Sequence, residues 1–136
     1  MANKRTRSLF HDNIIAIIVG NGISAHVAAL RLDTELGISS VLCGKRENLL
    51  NTLNFKCGFF QLDFRSNPRL AAEQLIYLTE INEDFTHILI PTSENAARFV
   101  SDNSELLESR YITVPFHNDP CEIPMLKRTC RTVNER

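Results

Sequence analysis

The chain has 136 residues, 43% of them hydrophobic, with 15 Lys and Arg against 16 Asp and Glu and a net charge of -1. A single domain of that length buries roughly two-thirds of the surface its unfolded form exposes, so it needs neither disulfides nor metal to hold a core. The ordinary composition excludes collagen, coiled coil and wholesale disorder; the near-neutral balance and a pI near 6.4 argue against a dedicated nucleic-acid binder, and no apolar run approaches the roughly 20 residues that cross a bilayer.

Residues 1–13 read as a basic tail. Only Leu9 and Phe10 follow its charges before His11, so no signal-peptide hydrophobic region is expected. Ile14-Ile15-Ala16-Ile17-Ile18-Val19 is an unbroken apolar run closed by Gly20, the pattern of a strand covered on both faces. A helix is predicted over 23–36, with Val27, Ala28, Leu32 and Leu36 near helical spacing. Gly37 sits where its C-terminus favours a left-handed residue. Ser40-Val41-Leu42-Cys43 is a short second strand. Residues 45–56 are polar and irregular, with one helical turn around Leu49, Leu50 and Leu53, and 57–62 read as a third strand.

Asn67-Pro68 opens the next helix, with Asn as cap and Pro at the first helical position. It runs to Ile81 and is expected to bury Leu70, Ala71, Leu75 and Leu78. His87-Ile88-Leu89-Ile90 is a fourth strand, stopped by Pro91. Helices return over 94–100 and 104–109, and 111–114 form a short fifth strand. Asp119-Pro120-Cys121-Glu122 is another helix start, since Asp caps while Glu three residues on reaches back. The last stretch, 125–136, has a helical pattern and ends without glycine, proline or an apolar clasp.

Strands alternating with helices predict an α/β fold, a three-layer Rossmann-like domain with a mainly parallel sheet of about five strands. Ligands of such sheets sit beyond the carboxyl ends of the strands, where the strand order reverses. That directs attention to the loops after Val19, Cys43 and Ile90.

Gly20-Asn21-Gly22-Ile23-Ser24-Ala25 matches the Gly-x-Gly-x-x-Gly/Ala pattern at a strand-to-helix junction. The first glycine makes a tight turn, the second lets a ligand approach the backbone, and the small last residue lets helix pack on strand. A full dinucleotide fingerprint also wants an acid at the end of the second strand. Here that place reads Cys43-Gly44-Lys45-Arg46, which disfavours NADH and leaves Lys45 and Arg46 for the 2′-phosphate of NADPH. The plainer alternative is that the glycines only make the turn. Pro91-Thr92-Ser93-Glu94-Asn95 follows the fourth strand. Thr92 or Ser93 suits the cap of the next helix and Glu94 its positive end; the functional alternative puts the same hydroxyls and carboxylate before a substrate ammonium or phosphate.

Cys43, Cys57, Cys121 and Cys130 are widely spaced, with no Cys-x-x-Cys pair. They read as free thiols in a reducing cytoplasm rather than metal ligands. His11, His26, His87 and His117 are scattered and read as surface or satisfied core residues. Lys127, Arg128, Arg131 and Arg136 make a basic end, by default a solvated helix face and otherwise a phosphate contact.

Laid out this way, the chain resembles the amino-terminal part of ATP-grasp carboxylate-amine ligases of the carbamoyl-phosphate-synthase-like type. The residues carrying the likeness are the strand and glycine turn from Ile15 to Ser24, Cys57-Gly58-Phe59-Phe60, Ile88-Leu89-Ile90-Pro91-Thr92-Ser93-Glu94 and Ala97-Arg98-Phe99-Val100. Beyond them come the strand at 111–115 and Met125-Leu126-Lys127-Arg128-Thr129. The likeness covers about residues 14–134.

It implies a pre-ATP-grasp Rossmann-like domain over 14–118 and the start of a truncated ATP-grasp module over 119–136. It also implies a substrate site of Gly20, Asn21, Gly22, Ile23, Ser24, Thr92, Ser93 and Glu94. Lys127 would approach nucleotide phosphate, although Met125-Leu126 stands where the family usually has an acid. ATP and Mg would serve the complete enzyme. Without the remaining module the chain is expected to bind no cofactor and to catalyse nothing alone. Its expected partners are a small carboxylate or amine and that module, in cis or in trans, with a homodimer admitted and neither nucleic acid nor membrane. The alternative is a stand-alone NADP(H)- or nucleotide-binding Rossmann module, regulatory or attached to an oxidoreductase.

Overall fold

The computed structural model describes residues 13–20, 22–45, 58–81 and 83–116. In chain order the elements are β1 (Ile14–Val19), α1 (Ile23–Leu36), β2 (Ser39–Gly44), β3 (Gly58–Gln61), α2 (Pro68–Ile81), β4 (Thr86–Pro91), α3 (Glu94–Asp102), α4 (Ser104–Leu107) and β5 (Ile112–Thr113). The predicted turn of helix at 49–53, the start signal at 119–122 and the helix at 125–136 lie outside the described residues.

The strands form one sheet in the order β3-β2-β1-β4-β5, and every pairing is parallel. β1 is therefore central, which explains its unbroken apolar run: successive side chains point to opposite faces and both faces are covered. Ala16 and Ile18, with Leu42, Ile88 and Ile90, meet Ala25, Ala28, Ala29, Leu32 and Leu36 of α1. Ile17, Val19, Cys43 and Leu89 face the other way, against Ala71, Ala72 and Leu75 of α2 and Ala96, Phe99 and Val100 of α3. The result is the expected three-layer, Rossmann-like α/β arrangement.

Local signals account for the element ends. Gly37 is left-handed (φ 68°, ψ 26°) and its amide closes α1 onto Asp33 and Leu32 carbonyls. The Asn67 side chain accepts the Leu70 amide at 3.3 Å, capping α2. Tyr111, just before β5, is buried and donates its hydroxyl to the Leu75 carbonyl at 2.6 Å. That bond ties the edge of the sheet to α2 while satisfying a polar group removed from water.

Several details differ from the sequence reading. Pro91 belongs to β4, paired with Val19 at the end of the strand. A proline there forfeits no interior ladder bond. Leu70, expected in the core, is 47% exposed, and Val27, one of the apolar residues at helical spacing in α1, is 50% exposed, while Ala72 and Thr79 are buried. Apolar spacing alone was ambiguous by one helical position. The fifth strand is shorter than 111–114, and the helices before it are separated by a break at Asn103, which ends α3 and begins α4.

Candidate functional site

The strand order reverses between β1 and β4: the chain steps outward from β1 to β2 and β3, then returns to the opposite side of β1. The crevice beyond these two strands is where an open α/β sheet binds its ligand. Val19 and Pro91 are register partners at its floor, so the two sequence segments singled out for chemistry meet here across 70-odd residues of chain.

Gly20 makes the turn. Its φ of 129° is closed to L side chains, and a Cβ there would overlap the Thr92 hydroxyl. Its amide donates to the Cys43 carbonyl at 2.7 Å, which locks the turn to β2. Thr92 closes the other side: its amide and its hydroxyl both donate to the Val19 carbonyl, at 3.3 and 2.9 Å. These contacts clamp β1 and β4 together immediately below the crevice.

Gly22 is different. It caps α1 with extended dihedrals (φ -80°, ψ -169°) and no side-chain hydrogen bond, and nothing lies within 4 Å of an added Cβ. No acidic residue occupies the first turn of α1, so the positive end of a 14-residue helix faces the crevice with no carboxylate of its own beside it. Ile23 and Ser24 are exposed beside it, whereas Ala25 is buried at 1% exposure. The small third position thus lets α1 settle on the sheet.

Ser93 caps α3, its Oγ accepting the Ala96 amide at 3.1 Å, and Glu94 is exposed in the first turn. The capping role expected for this segment is therefore present. It leaves the Ser93 hydroxyl proton free to be donated outward. Of the predicted site residues, Gly20, Gly22, Ile23, Ser24, Thr92, Ser93 and Glu94 come to the same end of the sheet; Asn21 and Lys127 lie outside the described residues.

Lys45 stands exposed just past β2. It lies near Asp63, whose carboxyl is held below its ordinary range mainly by the Ser66 amide at 3.1 Å and to a lesser extent by Lys45. Of the described histidines, His26 is buried in the first turn of α1, and His87 is buried opposite Ile15, toward the amino end of the strands and away from the crevice; His11 and His117 lie outside the described residues. Cys43 is buried beside the turn, and burial pushes its thiol up to about 12. It is therefore a packing residue rather than a nucleophile at neutral pH. Among the described residues no three His, Cys, Asp or Glu side chains gather as metal ligands, and no helix is long and apolar enough to cross a membrane.

Sequence reading missed a cluster of basic and aromatic side chains, Phe64, Arg65, Arg69, Arg98 and Phe99, which line one cleft beside α3. Their separation along the chain left no local pattern; only the basic, aromatic character of 64–69 hinted at it.

No protein-family model matches this chain, and no curated protein matches it significantly.

Proposed function

We propose that this domain positions a small carboxylate- or phosphate-bearing substrate at the crevice between Gly20 and Ser93. In that role it would act as the amino-terminal domain of an ATP-dependent carboxylate-amine ligase of the ATP-grasp type. The observation that carries the binding step is Gly22, a helix-capping glycine at the strand-order switch with open space in front of it. Backbone amides at the start of α1 attract an anion through their aligned dipoles, and an absent side chain lets that anion approach closely. The Ser93 hydroxyl and the Glu94 carboxylate, on the opposite wall, suit a substrate carrying both an acceptor and an ammonium.

ATP and magnesium belong, on this reading, to the ATP-grasp module. The described residues hold no acidic cluster suited to the metal, and no step through nucleotide is assigned to them. The domain contributes orientation: holding a carboxylate in place lowers the entropic part of the barrier to its activation.

The alternative, an NADP(H)-binding module, is favoured by one observation: the residue just past β2 is Lys45 rather than an acid. NMR titration of the labelled chain separates the two readings. Glutamate and bicarbonate, as carboxylate probes, should move the amides of Gly22, Ser24 and residues 92–94, and Gly22→Asp should abolish the response without lowering the melting temperature. A selective response to NADPH that Lys45→Ala removes would replace the ligase reading with the dinucleotide one. Silence of those amides toward every probe would overturn both.

A further inference from the structure

We infer that the open cleft between the turn at residues 64–69 and α3 is a second binding site, for a small phosphate ester with a flat apolar part. Its volume is about 400 Å³, within the range of small-molecule sites, about 300–1,000 Å³. An aromatic surface lines one part of it: the rings of Phe64 and Phe99 have centroids 5.2 Å apart and are inclined at 34°. Around them stand Arg65 from the turn, Arg69 from the first turn of α2 and Arg98 from α3. Asp102 is the one acid of the lining, leaving a net excess of two positive charges.

Folding does not require this convergence. All three arginines are exposed and stabilise no core, and like charges gathered at one cleft repel each other. Arg69 reaches Glu73 at 3.7 Å, an exposed pair of the kind worth little and readily diverted to a competing anion. Neither Arg65 nor Arg98 forms an ion pair among the described residues.

The chemistry that fits is specific. A guanidinium presents parallel donors that match two phosphate oxygens at once, and the planar part of an ester gains contact against the half-buried ring of Phe64, which packs on the buried Phe99. Pro68 also lines the cleft, so the positive end of α2 adds to the attraction. Asn95 supplies an amide at the rim. The inference is independent of the ligase reading, because it uses none of the residues of the switch-point crevice.

Phenyl phosphate titrated into the labelled full chain tests it. The expected result is movement of the amides at 64–67, 69 and 95–103, with tighter binding than inorganic phosphate because the ring is also used. The double substitution Arg65→Gln and Arg98→Gln should weaken binding by about tenfold or more at an unchanged melting temperature. Arg65→Lys with Arg98→Lys keeps the charge but loses the fork, and should fall between. Arg31→Gln, on the opposite face of the sheet, should leave the affinity as it was. The site is overturned if these amides stay still, if the double glutamine variant binds equally well, or if Arg31→Gln weakens binding to the same extent. Movement confined to Gly22, Ser24 and 92–94 would also overturn it, while leaving the switch-point crevice standing.

Discussion

Gly20 and Gly22 lie two positions apart and answer to different physics. Gly20 combines a positive φ with a Cβ position already filled by the Thr92 hydroxyl, so Gly20→Ala should cost about 3 kcal/mol or more in chemical denaturation. Thr92→Ala in that background removes the overlap but not the dihedral strain. The double variant should therefore recover part of the loss, and the two substitutions should be non-additive in a double-mutant cycle. Gly22 has ordinary dihedrals and empty space. Gly22→Ser should hold or raise stability by a few tenths of a kcal/mol through a new cap, so any effect it has on ligand binding is a local one. Ser93 is the reverse case. Its cap on Ala96 predicts that Ser93→Ala costs about 1 kcal/mol, and that Ser93→Asp, another good cap, restores most of the stability.

At the scale of elements, α1 shows how a helix can be placed correctly while spacing alone leaves its buried face open. Its core side is Ala25, Ala28, Ala29, Leu32 and Leu36, mostly small residues that let the helix approach β1 and β2 closely. Ile23, Val27 and Leu30 form a second apolar row, exposed at 73%, 50% and 51%. Two apolar rows on one helix give spacing no means to choose between them; contact with the sheet makes the choice. Leu32, fully buried, and Leu30 are therefore a paired test. Leu32→Ala should cost about 3 kcal/mol by leaving a cavity, whereas Leu30→Ala should cost under about 1 kcal/mol, both read from denaturant midpoints. The same ambiguity placed Leu70 inside beside Ala71 and Leu75, which are buried as expected, and passed over Ala72 and Thr79, which complete the buried face.

The whole molecule determines how stability depends on pH, because the groups that matter are buried by several elements at once. His87 is packed in β4 with its ring edge-on to Tyr111 at 5.9 Å. Burial holds its pKa below the ordinary 6.5, against the upward pull of the Phe85 backbone. The folded state thus refuses a proton that the unfolded chain accepts, so stability present above pH 6.5 is lost as pH falls below it. Urea midpoints should drop between about pH 7 and pH 5, and His87→Phe should reduce the drop. At the alkaline end, the Cys43 thiol rises from 9.0 to about 12 through burial. Its contribution is complete below pH 9 and is lost as the pH climbs from 9 toward about 12. Tyr111, also raised by burial and then by the proximity of Cys43, acts in the same direction above its ordinary 10.0. Cys43→Ala should flatten the alkaline decline, and in the parent chain the thiol should resist iodoacetamide until the protein unfolds.

The sequence by itself determined what short-range physics encodes. The doubly covered strand at Ile14–Val19, the left-handed end of α1 at Gly37, the Asn67 cap and the α/β alternation each depend on residues adjacent in the chain. The glycine turn and the Thr92-Ser93-Glu94 segment were legible as candidates for the same reason. Only the tertiary structure decided that they share one crevice, because strand order is a long-range property set by which strand pairs with β1. Long-range packing also decided which apolar row of α1 is inside and buried His87 and Cys43 deeply enough to shift them. It likewise drew Arg65, Arg69 and Arg98 to one cleft. No local pattern records such encounters, since the side chains come from separate elements and meet only when the helices pack on the sheet.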